Sequence, residues 1–428
     1  MSADGEGVPV PPHGPLHRNG EYLRWLCGDL LLDIGTGIGA FAFPLITFMV
    51  TGSLATTGLV SLVQGLGAVV GLIPGGLLAD RVERRRLRLL AGLTGVVVQL
   101  VLVVVLLGGW AGAVVLAALA FLDRLRETAL GSASNAMLKQ IVPTAQLPRA
   151  VSVNQGREAA VEMASGPVGG ALLGLSLVFP PLAQLLGNLG TLLATLSMRG
   201  RYRPRAEGAA PTRVVDDLRE AVAWIRTQPI RLQMLAVSCA VNLGANGLLF
   251  TVMLHLADQG VPATSIGLLN TALAASILVG AFLAPRLVDT VPTGVLAIAP
   301  VGLMALVGVL LPLAPSMVWI GAGYALLGIG LPAINASGQG FFTHITPVAM
   351  QGRISALMRL VSLGVMTLAP ALAGWGLELV GPTGALLLFA AVLALGTLVG
   401  VLSPDLRRLP VASRWEDHAL AEGLSVPE

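Results

Sequence analysis

The sequence predicts an all-α integral membrane protein of twelve transmembrane helices arranged as two six-helix bundles. Three observations carry that class. Of 428 residues, 55% are hydrophobic and 11% charged, where soluble domains carry about a quarter charged, so lipid is the solvent. Apolar runs near the roughly 20 residues that cross the hydrocarbon recur along the whole chain. Arginine alternates between loops, present in one and missing from the next.

The runs lie at 22–50, 53–78, 87–107, 110–138, 147–175 and 178–198. After a polar interruption they resume at 231–257, 262–284, 292–312, 315–338, 352–378 and 381–402. Loops near Gly52, Gly109, Phe179, Gln259, Pro315 and Gly381 contain no Lys or Arg. The alternate loops carry Arg81, Arg84, Arg85, Arg86 and Arg88, then Lys139 and Arg149, then Arg286, then Arg353. The positive-inside rule places these loops and both termini in the cytoplasm, hence a multi-pass protein of the cell (inner) membrane. Met1 to Gly20 is polar and holds no cleavable signal, so the first run serves as its own insertion signal.

This divides the chain into a cytoplasmic tail (1–21), a first bundle (22–198), a cytoplasmic linker (199–230), a second bundle (231–402) and a second tail (403–428). Residues 199–231 carry eight arginines against four acidic residues. Val214, Leu218, Ala221, Val222 and Ile225 recur at helical spacing, which predicts an amphipathic helix on the inner membrane surface. The halves also repeat. Pro143 and Arg149 return as Pro347 and Arg353 at an offset of 204, Gly170 returns as Gly374, and Pro167 nearly so as Pro370. Repeated helix bundles with a site between them are how many transporters are built.

Two segments carry a resemblance. Gly76-Leu-Leu-Ala-Asp80-Arg81-Val-Glu83-Arg84-Arg85 resembles the cytoplasmic loop signature of the major facilitator superfamily, with Glu83 where the pattern has glycine. The resemblance implies that Asp80 and its basic neighbours latch the halves together. The carboxylate would face the positive N-terminus of the eleventh helix. A plain positive-inside cluster is the alternative. Gly166-Pro167-Val168-Gly169-Gly170 looks like the core of that superfamily's exporter signature, with Glu162 where a further glycine is expected. Proline removes a backbone bond and glycine permits close helix contact, so ordinary tight packing also accounts for it. The stretch from Asp123 to Gly170, and Thr51-Gly52-Ser53, resemble the enterobactin-exporter and macrolide-efflux-like branch. The implied fold is the major facilitator fold. The implied activity is alternating-access transport, with efflux foremost and siderophore or metabolite export as the alternative.

Ionisable residues at membrane depth mark function by default. They gather in the first half: Asp29 and Asp33, four apart on one helix face; Asp123, Arg124, Arg126 and Glu127; Arg157, Glu158 and Glu162. Six carboxylates face three arginines, and carboxylates left unpaired in lipid take up protons. Asp33, Asp29, Glu158 and Glu162 are therefore the proton-coupling candidates, with the arginines tuning them. A static salt-bridge network is the competing reading, strongest for the neutral set at 123–127. In the second half, Asn242, Asn246, Asn270, Asn335 and Gln339 are candidates to line the substrate side.

The sequence excludes several classes. No P-loop occurs, and Ser, His and Cys never assemble into a nucleophile set or zinc site, so an enzyme is not expected. Cys27 and Cys239 stand singly, with no disulfide or metal implied. No cofactor, metal or nucleic-acid partner is called for. The expected partners are a small-molecule substrate, protons and membrane lipid, and the expected state is a monomer. A transporter-like sensor or scaffold without flux is the alternative from another class.

Overall fold

The computed structural model describes residues 16–131, 133–200, 202 and 214–424, with side chains except at positions 73, 77, 79, 80, 133, 135, 136, 214 and 215. The first six spans are Gly20–Thr51, Leu54–Arg81, Arg84–Leu107, Ala113–Gly131 continued by Ala133–Ile141, Leu147–Leu175 and Phe179–Ser197. The next four are Pro229–Asp258, Ala263–Thr290, Thr293–Leu310, and Met317–Ile329 followed by Leu331–His344. A single run, Gln351–Leu402, contains the last two, folded back at Gly381 (φ 71°, ψ 177°), a conformation open to glycine.

Local chemistry sets the ends. Asn19 starts the first span by accepting hydrogen bonds from the backbone N–H of Glu21 and Tyr22. Gly52 ends it at φ 65°, and Ser53 starts the second span by accepting from Thr56 N. The repeated Pro143 and Pro347 each precede a single 3-10 turn that opens the fifth and eleventh spans.

Within the first bundle, spans one and six, two and four, and three and six pack together. Within the second, spans seven, nine, ten and twelve share the largest core, around Leu248, Met304, Tyr324, Phe389 and Leu393. Between bundles, span two lies on span eleven and span five on span eight. The internal repeat is physical there. A Cβ at Gly170 would come within 2.6 Å of Thr264 N at the start of span eight. One at Gly374 would come within 3.2 Å of Ala55 Cα at the start of span two. The two matched glycines thus make the same contact in the two halves, each on the end of the molecule whose loops lack arginine.

One expectation needs correction. The linker helix, Val214–Arg226, buries Ala221 and Ile225 against Ile354, Leu357 and Phe342 instead of laying that face in lipid. The cause is ionic: Arg353 holds Asp217 at 2.7 Å and Glu220 at 2.6 Å, which draws the helix onto span eleven. Val214 lies outside the described side chains. Trp25, near the start of the first span, is fully buried. It packs with Leu16, Tyr22, Met137 and Ala150 inside the first bundle.

Candidate functional site

The two bundles enclose a cavity of about 710 Å³. Its two walls differ chemically. The first bundle contributes Asp33, Asp123, Arg124, Glu127, Glu158 and Glu162, with Gln64, Gln99 and Gln184 among them. The second contributes Asn246, Leu249, Phe250, Met253, Asn270, Leu273, Met366 and Thr367, and no charge.

The charged wall is ordered by pairing. Arg124 holds Glu127 at 2.7 Å. Arg126 pairs with Asp123, whose second oxygen accepts from Gln184 Nε2 at 3.1 Å. Arg126 also reaches Ala91 O and Asn188 Oδ1, tying span four to spans three and six. Arg157 holds Asp33 at 2.8 Å across spans five and one and stands 3.8 Å from Glu158, which accepts from Asn154 Nδ2 at 2.7 Å. Glu162 lies one turn beyond Glu158 on the cavity wall. It has no ion pair or hydrogen bond to the described residues.

Asp29 stands apart from this set. It is 6% exposed, does not line the cavity, and pairs with Arg88 at 2.7 Å. Ser134 donates to the same carboxylate, while Arg88 also reaches Thr195 Oγ1 and Trp25 O. Spans one, three and six and the Ala133–Ile141 segment close on this one ion pair. Sequence reasoning had left Arg88 in the basic loop. In the structure it is 3% exposed in the third span, so six carboxylates face four arginines and the surplus is two, not three. The pairs at 123–127 are satisfied among themselves. The surplus therefore falls on Glu158 and Glu162.

The neutral candidates divide as well. Asn246 and Asn270 line the cavity. Asn242 does not, and its amide donates back to Ser238 O within its own helix. Asn335 and Gln339 are exposed and lie outside the lining. Sequence reasoning missed Gln99, Gln184 and Asn188, single amides in otherwise apolar runs, which was the available signal.

The arginine-free end is tied shut. Thr271 Oγ1 of span eight donates to Met163 O of span five at 2.8 Å. Glu378, at the end of span eleven, accepts from Ser53 Oγ at 3.0 Å and Ala55 N at 2.9 Å at the start of span two. Glu378 is exposed at this rim and also bridges the two bundles.

The comparisons follow this geometry. A model of the Major Facilitator Superfamily matches residues 26–366 and 235–422. The chain belongs to that superfamily. It is a transporter and not an enzyme. Among solved structures, a mutant of the nucleoside transporter NupG aligns at TM-score 0.74 and 12% identity over 90% of this chain and 99% of that one. A bacterial homologue of the iron transporter ferroportin, inward-facing, aligns at TM-score 0.69 and 15% identity over 90% and 98%. A bacterial homologue of the human lysosomal transporter Spinster, inward-facing and unoccupied, aligns at TM-score 0.64 and 17% identity over 95% and 98%. At these identities the likeness is one of fold. No curated protein matches by sequence.

The two segments that resemble superfamily motifs occupy definite places. Gly166 and Gly170 face span eight, and Gly169 faces Phe41 and Ile38 of span one, so the Gly-Pro segment is the seam between bundles. In the loop motif, Gly76 and Arg81 are exposed and the Asp80 side chain lies outside the described residues. Arg85 donates to Thr195 O and Leu196 O at the C-terminal end of span six, and Arg84 N donates to Tyr202 O. These contacts stay within the first half of the chain.

Proposed function

We propose that the chain is a proton-coupled exporter of amphiphilic small molecules, such as drugs or natural products, working by alternating access. The observation that carries this is Glu162, a carboxylate with no protein partner among the described residues, on the wall of a midplane cavity whose other wall is neutral. A carboxylate that must change its environment as the bundles rock can load a proton on one side and lose it on the other. Asp33 and Glu158, which share Arg157, couple that proton to the position of span five against span one.

Direction follows from topology. With the arginine-bearing loops and both termini cytoplasmic, in a cell (inner) membrane, the closed end is the outer one and the cavity loads from inside. The proposed working unit is the monomer, since both halves of the repeat that line the cavity lie in one chain. The Gly-Pro seam and the loop motif favour the enterobactin-exporter and macrolide-efflux-like branch, and a siderophore or metabolite cargo is the second reading on the same resemblance.

The test is flux in proteoliposomes under an imposed pH gradient. Substrate accumulation should follow the gradient in the wild type and be lost in Glu162→Gln and Asp33→Asn. Movement that ignores the gradient would sink the antiport reading. Intact signalling without any flux in both variants would favour a sensor.

A further inference from the structure

Protein hydrogen-bond donors and acceptors are normally matched where water is scarce. On this cavity wall they are not. Several donors are already committed: Arg124 to Glu127, Gln184 Nε2 to Asp123, Ser165 Oγ to Val161 O, Asn246 Nδ2 to Asn242 O, and Thr367 Oγ1 to Gly364 O. Ser61 Oγ on the lining and Arg157 Nε and Nη1 behind it are buried without a partner among the described residues. The carboxylates of the wall are short of donors all the same. Glu162 has no donor among the described residues, and Glu158 has one from Asn154 on a single oxygen. Gln99, 2% exposed, lines the cavity with its side-chain oxygen buried and without a partner. An unmatched buried acceptor such as Gln99 Oε1 is costly, and a ligand donor relieves that cost; Glu158 and Glu162, exposed on the cavity wall, are open to the same donor.

Charge points the same way. Pairing consumes every arginine near the wall and leaves Glu158 and Glu162 surplus, one helical turn apart on one face. The opposite wall, with Leu249, Phe250 and Met253, offers apolar surface and an aromatic face. Resting on the exporter reading above, we propose that the cargo is an amphiphilic organic cation bearing N–H donors, an alkyl- or arylammonium. Its head seats on Glu158 and Glu162 and its body on Phe250 and Met253. An anionic cargo meets surplus negative charge, and a neutral one leaves it uncompensated. Head group and proton also compete for the same carboxylate, so loading either displaces the other, and exchange follows from occupancy alone.

The probe is a matched naphthyl series: naphthylmethylammonium, its trimethyl quaternary analogue, its N-acetyl amide, and naphthylacetate. Binding to the purified full chain should be about tenfold tighter for the ammonium than for the amide, with the carboxylate weakest. Glu162→Gln should cut that ratio to about two, roughly the loss of one ion pair. Gln99→Leu should narrow the gap between the ammonium and its quaternary analogue, since only the former has N–H donors. Thermal unfolding of each variant checks that the fold persists, and Glu158→Gln supplies a second test on the same face if either is unstable. Equal binding of ammonium and amide, or a ratio untouched by Glu162→Gln, overturns the inference. Gradient-driven carriage of the neutral or anionic member in preference overturns it while leaving the exporter reading intact. Carriage of none of the four overturns both.

Discussion

The two bundles enclose one cavity but are held together by different forces. The first closes around a buried ion pair, Asp29 with Arg88, and carries the ordered charges of the cavity wall. The second closes around Leu248, Met304, Tyr324, Phe389 and Leu393. Its buried arginine, Arg231, stacks on Trp224 of the linker helix, 3.5 Å from the ring centroid, and donates to the Trp224 carbonyl at 2.8 Å. The lesson is one of division of labour. Ionic contacts have discrete partners that a proton can rearrange, whereas an apolar core resists rearrangement, which is why the proposed proton coupling falls to the first bundle and the second is its wall.

Substitutions can break this contrast, in descending order of effect. Arg88→Met leaves Asp29 charged and buried, and should destabilise the first bundle by about 3–5 kcal/mol. Adding Asp29→Asn should restore much of that loss, read as the unfolding midpoint in detergent. If the single variant unfolds like the wild type, the first bundle does not depend on its ion pair. Phe389→Ala should cost about 3 kcal/mol through an apolar cavity, with no second substitution of charge able to rescue it. Gly170→Val, at the seam between bundles, should leave unfolding nearly unchanged within each bundle yet slow transport severely. The measurement is initial flux at matched protein density, and normal flux would remove the seam from the mechanism. Glu378→Gln weakens a solvent-exposed contact and should shift the balance between closed and open outer ends by a factor of a few. Labelling of a cysteine placed at Ser61, which lines the cavity, reports that shift from the outer side.

The sequence carried the fold almost entirely, because apolar length and arginine alternation are properties of the chain itself. Even the repeat was legible: Gly170 and Gly374 were paired by offset before their equivalent contacts were known. The charged wall was legible as composition but not as pairing. Arg88 looked like one more basic loop residue, since it stands beside Arg84, Arg85 and Arg86, and only its distance to Asp29 on another helix reveals it. Glu378 finds Ser53 across 325 positions, a partner that local pattern cannot supply. The linker's apolar face was correctly seen as apolar, yet what covers it is set by Arg353, which is remote in sequence from the helix it captures.

The chain's two ends are anchored on different bundles. Asn19 Nδ2 donates to Ile141 O in the first half, and Trp415 Nε1 donates to Thr293 Oγ1 at the start of span nine, with Leu424 buried beyond it. The described residues nearest each end are thus fastened to different halves of the molecule. A fluorophore at His17 paired with one at Gly423 would therefore act as a pair of callipers. Its reading follows the opening and closing of the two halves, with no label placed in the cavity and no helix disturbed.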